Sequence, residues 1–230
     1  MTPGAPSPEN CLTRNDWICG EYLISRAGAL GDALTQHLGL VVASVLIGLA
    51  LAFPLALLAR RYPRLEGVVI GTTTAIYTIP SLALFSLLVP LTGLGPTTVV
   101  LGLGPYSLTI LVRNVLDGLA AVPADVREAA TGMGYGASRL LFKVELPLAL
   151  PTIMAGIRVA TVSAVALTTV GAILDYGGLG DLLIQGKQSD FKAQVLVTSA
   201  LCVLLAVTLD LLLVAAQRVL TPWTRTAAVT

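Results

Sequence analysis

Five long runs of apolar residues constrain this chain of 230 residues more than any other feature. The first two runs contain no charged side chain, and each exceeds the roughly 20 helical residues that cross the hydrocarbon core of a bilayer. The runs are continuous rather than alternating, and lipid leaves backbone groups unsatisfied outside helices and closed barrels. The predicted fold class is therefore an all-α membrane protein with five transmembrane helices. The runs are residues 38–59, 67–92, 96–112 (or to 119), 148–174 and 195–216.

The composition excludes several other classes of protein. Charged residues make up 12% of the chain, about half the share found in a soluble domain, and the mean hydropathy is +0.85. These values exclude a disordered chain, a coiled coil and a protein that binds nucleic acid through a basic surface. The net charge of +1 does not indicate a partner that would bind through the overall charge of the chain.

A polar segment, residues 1–35, precedes the membrane domain, residues 36–222, and a short tail, 223–230, follows it. The first 16 residues are rich in proline and polar groups, so we predict that they do not order themselves. They also lack the basic start and apolar run of a secretory signal. Residues 17–31 mix apolar and charged side chains, which fits either a helix at the membrane interface or a plain polar lead-in.

The placement of lysine and arginine predicts the orientation in the membrane. Five spans bring three basic segments to one side, which we assign to the cytoplasm, so the N-terminus lies outside and the C-terminus inside. On the outer side, basic residues are offset by Asp175, Asp181 and Asp190. The cytoplasmic segments are residues 60–64, the loop with Arg127, Arg139 and Lys143, and the tail with Arg218 and Arg225.

Cysteine and histidine offer little metal or catalytic chemistry here. The three cysteines lack the spacing of metal ligands, and His37 is interpreted as a polar residue near a helix start. Cys202 lies in an apolar run, whereas Cys11 and Cys19 fall on the oxidising side, where a disulfide between them is allowed. H-E-x-x-H and G-x-S-x-G patterns are absent from the sequence, so we predict no metal site, no catalytic residue and no enzyme.

The connection between the third and fourth runs, residues 120–147, is too long for a simple loop. Asp125 and Glu128 resemble a capping box, Pro123 suits a first helical turn, and three glycines follow. A second short helix should end at Leu146, because the residue before a proline avoids the helical region. Two short helices around a glycine corner form a cytoplasmic elbow, which either docks a soluble partner or packs beneath the spans.

This elbow resembles the EAA motif of ABC-importer permeases. That motif reads E-A-A, three residues, G, nine residues, I, one residue, L-P. The spacing matches at every step, and the single departure is a valine in place of isoleucine. The matching residues are Glu128, Ala129, Ala130, Gly134, Val144, Leu146 and Pro147.

Further segments resemble glycine betaine/carnitine/choline (osmoprotectant) permeases. They are I-P-S-L-A-L at 79–84, L-P-L-A-L-P-T-I-M-A-G-I-R at 146–158, the outer G-G-L-G-D at 177–181, and the end of the last run. Together the resemblance covers about residues 36–222. Permeases for methionine and other small solutes share some of these segments.

The resemblance implies a type I ABC importer permease fold in the bacterial cytoplasmic membrane. It implies partners: a second permease, identical or different, two cytoplasmic ATPase subunits and an external substrate-binding protein. The chain lacks a G-x-x-x-x-G-K-[ST] loop, so ATP and Mg²⁺ belong to the ATPase, and no cofactor is expected in this chain.

The resemblance also implies roles for residues of the elbow, which acts as the coupling element. Glu128 offers a carboxylate to the ATPase, Ala129 and Ala130 allow a close approach, and Gly134 holds a corner where a Cβ does not fit. A solvated surface charge is the alternative role for Glu128.

Two charges lie inside the predicted spans at similar depth, Arg158 in the fourth and Asp210 in the fifth. Such charges are costly unless paired or functional, and we favour a mutual ion pair over contact with substrate. Tyr77, Pro80 and Ser81 are candidates for the translocation path, with ordinary packing as the alternative. Few aromatic residues lie in the spans to hold a quaternary ammonium, which fits selection by the external receptor.

The predicted function is the membrane permease of an ATP-driven importer for osmoprotectants such as glycine betaine, choline or carnitine. One alternative is a permease for methionine or another small solute. A secondary transporter is less favoured, because only Asp210 could couple an ion and no inverted repeat is evident.

Overall fold

The computed structural model describes residues 10–223, and every regular element in them is helical. The helices, in chain order, are α1 (Gly20–Ser25), α2 (Ala27–Arg61), α3 (Pro63–Thr78), α4 (Ser81–Thr92), α5 (Pro96–Ala120), α6 (Ala124–Gly132), α7 (Ala137–Leu140), α8 (Leu146–Thr168), α9 (Leu179–Gln188) and α10 (Lys192–Leu220). A π-helical turn, Leu141–Glu145, joins α7 to α8, and a 3₁₀ turn, Thr169–Leu174, extends α8. The all-α prediction is confirmed.

Helices α2, α5 and α8 form the centre of the bundle. Small residues let them approach closely: a Cβ at Gly48 would lie 2.7 Å from the Ser107 Cβ, and one at Gly156 would lie 2.4 Å from the Asn114 Cβ. Since lipid supplies no hydrophobic drive between helices, close packing of this kind is what associates them. Around these contacts lies a fully buried cluster that includes Ala52, Leu111, Val112 and Val115.

Within residues 10–223, four helical segments are long and apolar enough to cross a membrane, namely α2, α5, the continuous segment from α7 through α8 to Leu174, and α10. A fifth span exists if α3 and α4, which bend by 94° at a short break, count as one. The predicted five spans are confirmed with that addition, and the third run continues to Ala120, as its longer alternative allowed. The described part of α10 leaves large apolar side chains such as Val203 and Leu211 exposed, as expected for a surface that faces lipid or a second subunit.

The second apolar run, residues 67–92, is not one straight helix but is divided between α3 and α4. The chain turns extended at Ile79 (ψ 127°) and Pro80 (ψ 132°) before α4 begins. Proline disfavours helix at the preceding residue and supplies no N–H to the ladder, so the break falls there. The Tyr106 hydroxyl donates to the Ile79 carbonyl and satisfies a backbone group that the break frees.

The expected end of the second elbow helix at Leu146 is wrong. Leu146 is helical (φ −63°, ψ −44°), and the chain runs from α7 through the π-helical turn into α8 without a break. In this turn the Leu146 N–H bonds to the Leu141 carbonyl, five residues back. The wider turn accommodates Pro147, whose ring would clash with a regular α-helical turn. At the other elbow helix, Pro123 is the N-cap of α6, and no side chain caps it.

The start of the described chain is ordered against the N-terminal end of α10, so the expectation that the first 16 residues stay unordered is wrong for residues 10–16. Cys11 and Cys19 form a disulfide. The Asn15 amide donates to the Asp190 carbonyl (2.7 Å), and its side-chain oxygen accepts from the Lys192 N–H (2.9 Å). Residues 1–9 and most of the predicted tail, 224–230, lie outside the described residues.

Candidate functional site

The elbow turns at Gly134, which has a left-handed backbone (φ +84°). The Tyr135 N–H bonds to the Ala130 carbonyl (3.1 Å), and the Gly134 N–H bonds to the Thr131 carbonyl (2.9 Å). This pair of bonds is the Schellman motif, which ends a helix and favours glycine at the left-handed residue. A Cβ at Gly134 would meet nothing within 4 Å, so the expected steric reason for this glycine is wrong, and backbone conformation is the cause.

The E-A-A triplet divides between the surface and the interior. Glu128 and Ala129 on α6 are exposed, as is Met133 at the corner, whereas Ala130 is buried within the chain. A partner can therefore meet the first two residues of the triplet. The expected close approach at Ala130 disagrees with this burial, because its side chain packs inward.

The last part of the motif forms the base of the fourth span. Val144, Leu146 and Pro147 are half-buried in the π-helical turn and the first turn of α8. Between them Glu145 is 3% exposed and pairs with Arg60 of α2 through two hydrogen bonds of 2.9 and 2.5 Å. Sequence reasoning missed this pair, although a lone carboxylate between apolar motif residues was the available signal.

The charged side chains of Arg158 in the fourth span and Asp210 in the fifth span meet. Arg158 of α8 donates from Nε to Asp210 Oδ1 (2.7 Å) and from Nη2 to Asp210 Oδ2 (2.9 Å). This bidentate geometry is the strong form of an arginine–carboxylate pair. It joins α8 to α10, and each side chain is about one-third exposed. The structure thus brings together the two residues that the sequence suggested as partners.

The three candidate path residues flank the break between α3 and α4. Tyr77 lies at the end of α3 and is 45% exposed, Pro80 precedes α4, and Ser81 begins it. The Tyr77 ring packs edge-on against Tyr106 with ring centroids 5.8 Å apart. Both tyrosines line a narrow cavity between α5 and α8 together with Ser163. Sequence reasoning missed the hydrogen bond by which Tyr106 holds the break.

His37 is fully buried rather than merely polar near a helix start, which corrects its interpretation. Its Nδ1 lies 3.1 Å from the Gly177 carbonyl, and its Nε2 lies 3.1 Å from the Val165 carbonyl. A neutral imidazole donates to one of these two acceptors. His37 therefore ties α2 to both α8 and the glycine-rich outer loop.

The outer loop packs against α2 with no space for extra atoms. Gly178 is left-handed (φ +58°), and a Cβ there would lie 2.7 Å from the His37 backbone nitrogen and 2.8 Å from the Ala33 carbonyl. Asp181 accepts a hydrogen bond from the Gly177 N–H at 2.8 Å. Burial raises the pKa of the Asp181 carboxyl, and the N–H groups of Gly177 and Gly178 oppose that rise. Asp181 also lines an outer cavity of about 560 Å³ with Asp175 and Gln185.

Residues 39–226 match the family model described as "Binding-protein-dependent transport system inner membrane component". Three curated relatives are similar over most of their length. The chain is 36% identical over 204 residues to the glycine betaine/carnitine/choline transport system permease protein OpuCD of Bacillus subtilis. This alignment covers 88% of this chain and 89% of the relative. It is 39% identical over 207 residues to the osmoprotectant import permease protein OsmW of Salmonella typhimurium, with 87% of this chain and 96% of the relative covered. It is 33% identical over 202 residues to the choline transport system permease protein OpuBD of Bacillus subtilis, with 87% and 89% covered.

Two solved structures share the fold at lower identity. A chain of the MetNI methionine ABC transporter in an inward facing conformation matches with a TM-score of 0.73 and 22% identity, covering 85% of this chain and 96% of that one. A chain of an amino acid ABC transporter with histidines matches with a TM-score of 0.72 and 18% identity, covering 87% and 98%. At these identities the likeness shows the fold alone.

Proposed function

The chain belongs to the family of binding-protein-dependent inner membrane transport components and is an importer permease rather than an enzyme, and we propose that it carries glycine betaine, carnitine and choline. The observation that supports this substrate class is the identity of 36% and 33% to relatives named for these solutes, together with 39% identity to a relative named for osmoprotectant import. The three solutes share a trimethylammonium group. The likeness to a methionine transporter, at 22% identity, supports no methionine assignment.

Uptake of labelled solutes tests the substrate class. Cells with and without this gene are compared for glycine betaine, choline, carnitine, proline and methionine, at low and high osmolarity. Loss of trimethylammonium uptake with unchanged methionine and proline uptake supports the proposal. Loss of methionine uptake alone would overturn the substrate class and leave the importer permease assignment in place.

The elbow couples this permease to its ATPase in the proposed mechanism. Glu128 and Ala129 stand exposed on α6, and the Schellman turn at Gly134 gives the elbow one defined shape. A carboxylate such as Glu128 suits a basic group or a helix N-terminus on the partner. When the ATPases close on ATP, α6 and α7 move together. Nucleotide and the loaded receptor bind the inward-facing and outward-facing states with different affinities, and this difference shifts the spans between the two states.

Copurification tests this contact. Glu128→Arg should abolish copurification of the ATPase with the permease, because it reverses the exposed charge at the interface. Glu66→Arg, a matched reversal on α3 outside the elbow, should leave copurification unchanged. Equal copurification of both variants would overturn the assigned contact.

The translocation path is proposed to pass the break between α3 and α4. Tyr77 and Ser81 flank the break where the backbone of the second span leaves the helical conformation, and Pro80 causes that break. Broken helices of this kind suit a water-accessible cavity, since lipid would not satisfy the freed backbone groups. Tyr77→Cys should react with a water-soluble thiol reagent, and bound solute should slow that reaction.

The proposed orientation places the N-terminus outside and the C-terminus in the cytoplasm. The positively charged segments support this, and so does the Cys11–Cys19 disulfide, since such bonds persist in oxidising compartments. After reduction, an impermeant thiol reagent applied to intact cells should label Cys11. A cysteine introduced at Tyr62 should be labelled only after the cells are opened.

The assembly is proposed to contain two permeases, two ATPases and one external receptor. The apolar side chains that α4 and α10 leave exposed, among them Leu91 and Leu211, support a second permease and lipid as neighbours. Native mass spectrometry of the purified complex gives the subunit count and shows whether the second permease is this same chain.

A further inference from the structure

One ion pair joins the cytoplasmic end of the first span to the base of the fourth. The Arg60 guanidinium contacts both oxygens of Glu145, with Nη1–Oε2 at 2.9 Å and Nη2–Oε1 at 2.5 Å. The Glu145 side chain is 5% exposed and that of Arg60 is 30% exposed. Because the guanidinium is planar and bonds through two parallel contacts, this pair holds both the separation and the orientation of the two side chains.

The two ends of this pair differ in how they connect to the elbow. Glu145 closes the π-helical turn, which continues directly from α7 into α8, so a movement of the elbow reaches the fourth span through the helix itself. Arg60 lies in the last turn of α2, which three helices separate from the elbow along the chain. The first span therefore needs a tertiary contact to follow the elbow.

Packing alone does not supply the whole of that contact. A cavity of about 400 Å³ opens beside the ion pair, lined by Leu57 of α2 and by Ala137 and Leu140 of α7. The ion pair crosses the edge of this gap. Single π-helical turns inside α-helices occur frequently at functional sites, and this one places the Glu145 carboxylate toward α2.

We propose that Arg60 and Glu145 are positioning residues that carry the movement of the elbow into the first span, so that α2 and α8 move as one unit when ATP is bound. This inference rests on the proposed coupling role of the elbow. It adds a second route into the membrane domain, because the pair fixes the end of α2 to the base of α8 where the cavity interrupts their packing.

The test uses Glu145→Gln in the complete importer, reconstituted with its ATPase and receptor. Glutamine keeps the shape of the side chain, and it leaves Arg60, which is partly exposed, able to reach water. Arg60→Gln is the poorer variant, since it leaves a buried carboxylate without its partner and endangers folding.

Distances between spin labels separate coordinated from independent movement. One label pair joins Tyr62 at the end of α2 to Leu148 of α8, and a second joins Leu91 of α4 to Leu148, all three residues being exposed. Cys202 is replaced by alanine so that only the introduced thiols react. In the parent protein ATP should change the Leu91–Leu148 distance, because α4 lies outside the unit formed by α2 and α8, and should leave the Tyr62–Leu148 distance constant. In Glu145→Gln both distances should change.

A Tyr62–Leu148 distance that stays constant in Glu145→Gln, or that changes in the parent protein, overturns the inference. Loss of the Leu91–Leu148 change in Glu145→Gln would mark a purely structural role for the pair and also overturns the inference. If ATP changes neither distance in the parent protein, the proposed coupling role of the elbow itself fails. This result is distinguishable from the results above, which overturn only the role of the ion pair.

Transport supplies a second measurement. Glu145→Gln should lower the solute carried per ATP hydrolysed by about 10-fold, within the range of ordinary allosteric coupling, while the ATPase still copurifies. Glu66→Gln removes a charge beside Arg60 that forms no ion pair among residues 10–223, and it should leave that ratio unchanged. A ratio equal to that of the parent protein in Glu145→Gln would overturn the inference.

Discussion

A Cβ added to Gly178 tests how closely the outer loop packs on the first span. This residue has φ +58°, and the added atom would lie 2.7 Å from the His37 Cβ and nitrogen and 2.8 Å from the Ala33 carbonyl oxygen. Two of these atoms belong to the backbone of α2, which cannot give way as a flexible side chain can. The substitution therefore meets both backbone strain and a steric clash.

Gly93 offers a matched control that separates the two effects. It also has a left-handed backbone, with φ +76°, but a Cβ there would meet nothing within 4 Å. Gly93→Ala should cost only the strain of an L-residue in this region, about 1–2 kcal/mol. Gly178→Ala adds the cost of overpacking, for a total of about 2–5 kcal/mol.

Thermal unfolding of the purified protein in detergent, followed by circular dichroism, measures the difference. Each kcal/mol shifts the Tm of a chain of this length by about 2–4 °C, so Gly93→Ala should lower Tm by about 2–8 °C and Gly178→Ala by about 4–20 °C. A Tm for Gly178→Ala equal to or above that of Gly93→Ala would refute the close approach of the loop to α2.

Three further predictions concern the elbow, the ion pair within the spans and the outer carboxyl group. Gly134→Ala should weaken transport more than Gly134→Asn, because asparagine tolerates a left-handed backbone, and Gly136→Ala, where φ is negative, should leave the initial rate of uptake unchanged. Asp210→Asn should lower the amount of folded protein in the membrane, and the double variant with Arg158→Gln should restore part of that amount. Normal abundance of Asp210→Asn with lost transport would point to a functional role of Asp210 instead. Because burial raises the pKa of Asp181 above 3.8, its carboxyl favours the fold increasingly as pH falls through that raised pKa, and Asp181→Asn should remove this pH dependence of Tm.

The spans and the elbow could be predicted because their signals are local. An uncharged run such as residues 38–59 has few other solutions in lipid, and the fixed spacing from Glu128 to Pro147 carries a family motif. The partnership of Arg158 and Asp210 also followed from the sequence, because an unpaired charge in a span is costly and these two lie at similar depth. One local rule failed and the same rule held elsewhere. The helix passes through Leu146 because a π-helical turn accommodates Pro147, whereas the second span does break before Pro80, at Ile79, whose carbonyl accepts from Tyr106.

Sequence by itself determined the class of fold, the number of spans and the family, since hydrophobic length and motif spacing do not depend on distant contacts. Apart from Arg158 and Asp210, only the tertiary structure decided which polar side chains meet. His37 contacts carbonyls of Gly177 and Val165, more than 120 residues away along the chain, and Arg60 reaches Glu145 across 85 residues. No periodicity along the chain encodes such meetings, because they depend on how closely glycine-lined helices pack and which side chains that packing encloses.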